Sequence, residues 1–518
     1  MRGSPSPFRL LALPCLALLS ACTTLGPDFQ PLESPELRQW PQGLHGLFQP
    51  EGQGEDLETW WRLFRDPVLE KLIHVAERNN RQLRQAGLRI LQARALLGIA
   101  DASRLPQQKL ATGELLWSGQ ENHGGRGPRS SNQTTFQADL TVGWELDFWG
   151  RFRRGIESAD AAFLASMEAQ QAMQVLVKAQ VASLYFRWRT LGARIAIARK
   201  NAALQKRSLQ IATELYQSGN TSELDLQQAR TQYLATLAAV PQLELLRRQT
   251  LNALAVVLGR TPGDLPELPD ETRPLPRIDG TLVQEIPARL LLRRPDVRAA
   301  AWQVAAQSAQ IGVAEADLYP AISLLGSLGW SASTLAGVPD SSLLALGPSL
   351  RWNLFDQGLI RNNVRLQDAR LQELLEQYRQ KVLEAAQEVD NAAISVVKTA
   401  EQEKLLEQTV TSAERALEIA YISYREGYAD FQRVLDAQRT LFSQNDRLVN
   451  IRGEHLDYLV ALYKGLGGGW TPVSLDMAVP PETRQRMKER TSWGDLLDTP
   501  LPRPLSSPVV NPGTEKGP

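Results

Sequence analysis

From Thr135 to Phe148, apolar and polar residues alternate without a break. Phe136, Ala138, Leu140, Val142, Trp144, Leu146 and Phe148 point one way; Thr135, Gln137, Asp139, Thr141, Gly143, Glu145 and Asp147 point the other. A period of two sustained over this run predicts a β-strand with one apolar and one polar face. The pattern returns with Leu344, Leu346, Pro348, Leu350, Trp352 and Leu354 set against Ala345, Gly347, Ser349, Arg351 and Asn353. A partner strand carries Ile322, Leu324, Leu328 and Trp330 on one side and Ser323, Ser327 and Gly329 on the other. The partner of the first strand, around Lys109 to Ser118, alternates less cleanly. Strands of roughly 10 to 14 residues exceed the usual five or six of a soluble sheet and match what a tilted strand needs to cross a bilayer. The strands alone also fit a half-buried sheet over a soluble core.

The pattern then lengthens to a helical one. After Gly358 there is neither Gly nor Pro until Gly427, so Ile360 to Glu426 can run 67 residues as helix, and Phe152 to Ser218 is likewise free of proline. At about 1.5 Å per residue each segment is on the order of 100 Å long. A compact domain has no place for such a helix. Apolar residues recur at mixed three- and four-residue spacings, as on a helix packed against neighbours along its whole length. Gly-marked turns, Gln217 to Ser222 and Arg425 to Asp430, end each long helix, and a returning helix then runs to Leu258–Gly259 or Leu466–Gly467.

The chain is written twice. Trp144, Gly150, Tyr216, Gly219 and Leu258–Gly259 recur 208 residues later as Trp352, Gly358, Tyr424, Gly427 and Leu466–Gly467. Upstream, Leu83, Gly98 and Pro106 recur 214 residues later as Val297, Gly312 and Pro320. Each copy reads as helix, hairpin, long helix, tight turn and returning helix. The predicted organisation is a first repeat at 61–260, a linker at 261–283, a second repeat at 284–470 and a Pro-rich tail at 471–518 that folds only in part. Four strands are too few for a closed barrel, which needs about eight or more. An open sheet in hydrocarbon leaves two edges unpaired, so the barrel must be shared between chains. Two chains give a filled eight-stranded barrel; three give twelve strands and a lumen.

Arg2 and Arg9 precede a short apolar stretch, Leu10 to Leu19, too brief to span a membrane as a helix. Leu19–Ser20–Ala21–Cys22 closes it and resembles the lipobox at which bacterial lipoproteins are cleaved and acylated. This predicts a signal peptide at 1–21, lipidation of Cys22, and a lipidated extension at 22–60. Thr23 follows the cysteine, where an aspartate would argue for the inner membrane, so the resemblance implies sorting to the outer one. The mature chain keeps one cysteine and forms no internal disulfide. With 57 basic and 57 acidic residues, nothing points to nucleic acid. Trp117, Phe148, Trp149, Trp330, Trp352 and Phe355 lie near strand ends and fit an aromatic girdle. His45, His74, His123 and His455 are scattered without ligand spacing. There is no phosphate loop or nucleophile elbow, so neither an enzyme nor a cofactor is expected.

Several motifs in order give the chain its likeness. They are the lipobox with Gly26–Pro27–Asp28–Phe29, Trp60 to Pro67, Trp144 to Arg151, Arg293 to Ala300, Leu435 to Arg439, and Gly467 to Trp470. Over about residues 18 to 471 the chain resembles the TolC-like outer-membrane factors, in the lipoprotein branch serving resistance-nodulation-division efflux pumps. The resemblance implies an α+β membrane protein, a homotrimer with a shared 12-stranded barrel in the outer membrane and a periplasmic α-barrel. Its partners would be a periplasmic adaptor, an inner-membrane pump and outer-membrane lipid, and its cargo drugs, toxic organics or metal ions. It further implies a periplasmic gate at the helical tip, with Asp225 and Tyr424 tying neighbouring helix pairs and Asp436 ringing the aperture. Ala429 and Arg433 depart from the family, standing where some members carry a locking arginine and a second ring aspartate. The turns containing Gly219, Asn220, Thr221, Gly427, Tyr428 and Ala429 are expected to meet the adaptor. Loops at Gly119–Asn132 and Ala332–Ser342 are expected to face the exterior. A duct for a type I protein-secretion exporter and a lipid-anchored structural coiled-coil protein are the alternatives.

Overall fold

The computed structural model describes residues 23–32, 48–49, 57–122, 129–269, 274–278, 283–284, 288–334, 339–502 and 508. Two elongated halves share the order helix, hairpin, long helix and returning helix, with one additional short helix opening the first. The first has helices α1 (Pro67–Asn79) and α2 (Arg81–Ala102), strands β2 (Gln108–Asn122) and β3 (Arg129–Glu145), and helices α3 (Arg151–Gln217) and α4 (Glu223–Val257). The second has α5 (Pro295–Ala316), β5 (Ala321–Ala332), β6 (Ser341–Arg351), α6 (Leu359–Arg425) and α7 (Phe431–Gly465). A two-residue parallel ladder joins β1 (Phe48–Gln49) to β4 (Val283–Gln284). Helices α3 and α6 each run 67 residues. Among the described residues no helix is long and apolar enough to cross a membrane.

The helix ends follow from local chemistry. Gly150 (φ 77°) and Gly358 (φ 87°) precede α3 and α6 in the left-handed region that favours glycine. Asp147 accepts the N–H groups of Phe152 and Arg153, and Asp356 those of Gly358 and Ile360, so a carboxylate serves the orphan donors of each long helix. At the far ends, Gly219 and Gly427 turn left-handed while Asn220 N–H reaches Leu215 O and Tyr428 N–H reaches Ser423 O, each at 2.8 Å. These are Schellman ends, and α4 and α7 close the same way at Gly259 and Gly467.

The core lies midway along the helices. Trp60 stacks on Tyr463 at 5.7 Å, and Phe64 meets Phe186 at a tilt, 4.6 Å between centroids. Asp66 caps α1 and accepts from the Tyr185 hydroxyl (2.9 Å) and Arg189 (2.5 Å). Arg294 grips both oxygens of Asp296, then Glu388 (2.9 Å) and the Gly465 carbonyl (2.6 Å), joining the start of α5 to α6 and α7. The motifs at Trp60–Pro67 and Arg293–Ala300 therefore hold the halves together.

Three expectations change. Residues 471–502 are more structured than their proline content suggests. They form α8 (Leu475–Ala478) and α9 (Pro481–Arg490), and Val473, Val479, Met487 and Leu497 pack with Ile90, Leu91, Phe163 and Met167. Gly87 permits this, since a Cβ there would lie 1.8 Å from the Ala478 carbonyl oxygen. The tail folds because α2 and α3 supply the apolar surface it lacks. Second, β2 reaches Asn122 and β3 starts at Arg129, while β6 starts at Ser341, so the expected loops at Gly119–Asn132 and Ala332–Ser342 are shorter. Continued pairing consumes their ends. Third, β3 stops at Glu145, leaving Leu146 and Phe148 beyond it, and Trp149 is a packing residue rather than a girdle member. Its indole N–H bonds Pro320 O at 2.9 Å and its ring stacks on Tyr319 at 4.7 Å.

Candidate functional site

The four long strands form one antiparallel sheet in the order β2-β3-β5-β6. Register fixes its faces, because residues directly opposite each other point to the same side. Ala111, Leu140, Leu328 and Leu344 form one such row, and Leu115 and Phe136 another. The same face carries Trp117, Val142, Trp330 and Leu346. These apolar side chains are unusually bare: Leu344 is 69 % exposed, Leu346 79 % and Trp117 66 %. The opposite face carries Thr112, Glu114, Gln137, Asp139, Thr141, Ser327 and Ser349, with Leu110, Leu116, Leu325 and Leu343 among them. Both edge strands, β2 and β6, are unpaired on their outer sides. An apolar face without a core and two open edges are what a fragment of a lipid-embedded barrel presents.

Just below the sheet the N-terminal segment is strapped to the helix start. Leu25 N–H donates to Trp149 O at 3.1 Å. Arg154, 3 % exposed, donates to Leu25 O (2.9 Å), Gly26 O (3.0 Å), Asp28 (2.7 Å) and Glu157 (2.7 Å). The backbone of Gly26 rides against Gly312 of α5. Cys22 itself lies outside the described residues.

At the other end, the two hairpins α3/α4 and α6/α7 are joined. Phe431, Val434 and Leu435 pack with Ala212 and Ala229, and the Tyr424 ring meets Phe431 at a tilt, 5.2 Å between centroids. Buried Gln438 donates to Ser208 (2.9 Å) and to the Tyr421 hydroxyl (2.6 Å), and Gln232 donates to Leu435 O at 3.2 Å. The Asp225 carboxylate accepts from the hydroxyls of Thr221 (2.7 Å) and Ser222 (2.9 Å), bonds that hold it below the usual carboxylate range against slight burial. Burial, with the Asp225 charge as the smaller cause, pushes the Tyr424 hydroxyl up. Asp436 is half-exposed on α7, accepts from Gln432 at 3.1 Å and lies 3.7 Å from Arg439.

The family model described as outer membrane efflux protein matches residues 72–260 and 286–468. This chain belongs to the outer membrane efflux protein family. The probable efflux pump outer membrane protein SepC of Pseudomonas putida is 33 % identical over 479 residues, spanning 90 % of this chain and 97 % of that one. The cation efflux system protein CusC of Escherichia coli is 30 % identical, over 90 % of this chain and 99 % of its own. Among solved structures, the outer-membrane channel OprN superposes with a TM-score of 0.78 at 33 % identity, covering 86 % of this chain and 99 % of that chain. This efflux protein is therefore an outer-membrane channel, not a lipid-anchored structural coiled-coil protein.

In this efflux protein Asp225 and Tyr424 come together across the two hairpins, but Asp225 takes its hydrogen bonds from Thr221 and Ser222 of its own turn. Asp436 stands apart on α7 with Gln432 and Arg439. Gly219, Asn220, Gly427 and Tyr428 are all exposed, and Tyr428 is 87 % bare; Thr221 and Ala429 are half-buried. The sequence reading missed Ser208, Tyr421, Gln232 and Gln438, whose only signal was polarity at positions where a helix turns toward its neighbours. Between α4 and α7 lies a cavity of about 560 Å³ lined by Gln227, Gln228, Thr231, Gln232, Gln432 and Leu435, among others.

Proposed function

We propose that three copies of this chain close one barrel of twelve strands in the outer membrane and continue it as a helical tunnel into the periplasm. The observation that carries this reading is the open sheet: its apolar face needs lipid and its two edges need partners. Three copies leave a lumen, whereas two make a barrel filled by its own side chains. Cargo enters at the helical tip from an inner-membrane pump and periplasmic adaptor, which meets the turns at Gly219–Thr221 and Gly427–Ala429. Relatives are named for toluene, pyoverdine and cation export, and small organics or metal ions are the cargo proposed here. Purified protein in detergent should run as a trimer by light scattering, and its gene's deletion should sensitise cells to a toxic organic or metal. A stable monomer would overturn the reading.

The anchor is Cys22, acylated after removal of residues 1–21. Leu25 is fixed at Trp149, and three residues of chain reach about 10 Å, which suits a lipid in the inner leaflet beside the barrel. Cys22→Ala should end incorporation of labelled palmitate and leave trimers intact, because the barrel holds the membrane by itself. Label persisting in the mutant protein would refute the assignment.

The gate lies at the tip. Three copies of Asp436 facing one opening would form a ring of charge that favours cations. Arg439, 3.7 Å away on the same helix, would then dominate once the carboxylate is gone. Asp436→Ala should accordingly shift single-channel selectivity toward anions. Asp225→Ala with Tyr424→Phe should instead raise conductance by loosening the turn. Unchanged recordings from both would place the constriction elsewhere.

A further inference from the structure

We infer that the cavity between α4 and α7 is a binding site for organic amines, apolar molecules of moderate size that carry several N–H groups. The site lies within one chain and needs no second copy. It begins one turn inside the tip, at Leu224 and Gln432, and its placement on the path of cargo rests on the export reading above.

Three helices build the site. Gln205 comes from α3, Gln228 and Gln232 from α4, and Gln432 from α7. Gln228 and Gln232 stand four residues apart, which stacks them one turn above the other on a single face of α4. All four glutamines line the cavity, and each has a buried Oε1 that accepts no hydrogen bond among the described residues. Gln205 is 2 % exposed and Gln232 7 %, so surface water does not serve them. For two of the four, the partner of the amide nitrogen settles which end is oxygen. Nε2 of Gln232 donates to the Leu435 carbonyl at 3.2 Å, and Nε2 of Gln432 donates to both carboxylate oxygens of Asp436 at 3.1 and 3.3 Å. Thr231, on the same wall, donates its hydroxyl proton to the Gln227 carbonyl at 2.8 Å and keeps only lone pairs to offer.

Buried oxygens of this kind are normally paired, and four around one cavity call for a ligand that donates. An anion would meet the oxygens and is disfavoured. Arg439 is the one charged residue lining the cavity among the described residues, and its guanidinium is already turned to Asp436 at 3.7 Å. A bare metal ion asks for about six oxygens within roughly 2.6 Å, whereas these amides are spread along a space of about 560 Å³. That volume lies in the range of roughly 300 to 1,000 Å³ that holds small organic molecules. The rest of the wall is mostly apolar, with Leu224, Ala235, Ala239, Leu435 and Phe442. An apolar body lies against these side chains while N–H groups at its edge reach the amides. The terminal torsion of a glutamine is broad, so a small rotation brings each oxygen to the ligand. Positive charge on the amine adds to the fit, since converging carbonyl dipoles favour a cation.

Two acridine dyes test the site in the full-length protein in detergent, read by fluorescence anisotropy. Proflavine is a flat cation with two primary aryl amines, and one molecule per chain should bind saturably. Acridine orange is the same cation with methyl groups in place of all four amine hydrogens. It should bind at least tenfold more weakly, although the cavity has room for it. Gln228→Leu should weaken proflavine at least fivefold and leave the fold intact, because the Oε1 it removes holds no partner. Ala235→Trp, which fills the space without removing a hydrogen-bonding group, should abolish binding. Absence of saturable binding to wild type, equal affinity for the two dyes, or wild-type affinity in both variants would each overturn the site. Light scattering on the same samples reads the trimer separately. Monomers that still bind proflavine selectively would overturn the shared barrel and support the site.

Discussion

Leu140→Arg is expected to cost roughly 2 to 4 kcal/mol per chain if the residue lies near the bilayer midplane, and to empty the outer membrane of folded protein. Thr141→Arg, one residue along, is expected to be tolerated. The difference is set by register alone. Leu140 stands in a row with Ala111, Leu328 and Leu344, all on the face that meets lipid. Thr141 stands opposite Leu110 and Ser327 on the face that meets the lumen. Around a twelve-stranded lumen an arginine keeps its water, whereas on the outer face it must drag water into hydrocarbon or snorkel. The measurement is the amount of detergent-stable oligomer in outer-membrane fractions, compared at equal expression. Greater loss from Thr141→Arg would mean that the two faces have been exchanged, and equal loss from both that the sheet does not sit in lipid.

The sheet was legible in the sequence because a strand between lipid and water must alternate, and Phe136 to Trp144 does so without exception. The long helices were legible because a stretch free of Gly and Pro has nothing to stop it, and α6 ends one residue before the predicted Glu426. What escaped was whatever depends on a distant surface. Residues 473–501 look too polar and proline-rich to fold, and they fold because Phe163 and Met167 of α3 wait for them. Pro241 inside α4 did not mislead the sequence reading, which runs the returning helix to Leu258–Gly259; its ring is exposed and the helix continues past it. The tip was legible in place but not in wiring. Asp225 stood out as a charge beside a turn, whereas Gln438, buried between Ser208 and Tyr421, looked like one polar residue among many. A helix that is amphipathic in several directions hides which of its glutamines face inward.

Ala393→Pro should be the most damaging single change along the tunnel. Ala393 lies near the middle of the 67-residue α6 and is fully buried in the cluster that includes Val389, Val396, Leu456 and Leu459. A proline there removes the hydrogen bond to the Val389 carbonyl and drives its ring into the preceding turn, at about 3 kcal/mol or more. Closely packed neighbours add to this, since overfilling a core costs a further 1 to 3 kcal/mol, roughly. Pro241 supplies the contrast, since on an exposed face of α4 it forfeits the same backbone bond without crowding a core. Ala393→Val separates the two causes: it crowds the core and keeps the N–H, so it should lose only the smaller share. Thermal unfolding followed by circular dichroism in detergent reads the difference, and drug or metal susceptibility of complemented cells reads its consequence. A bend at Ala393 swings the tip, some 32 residues away in α6, out of line with the axis. If Ala393→Pro melts with wild-type stability and complements fully, α6 is not one continuous helix in the working protein.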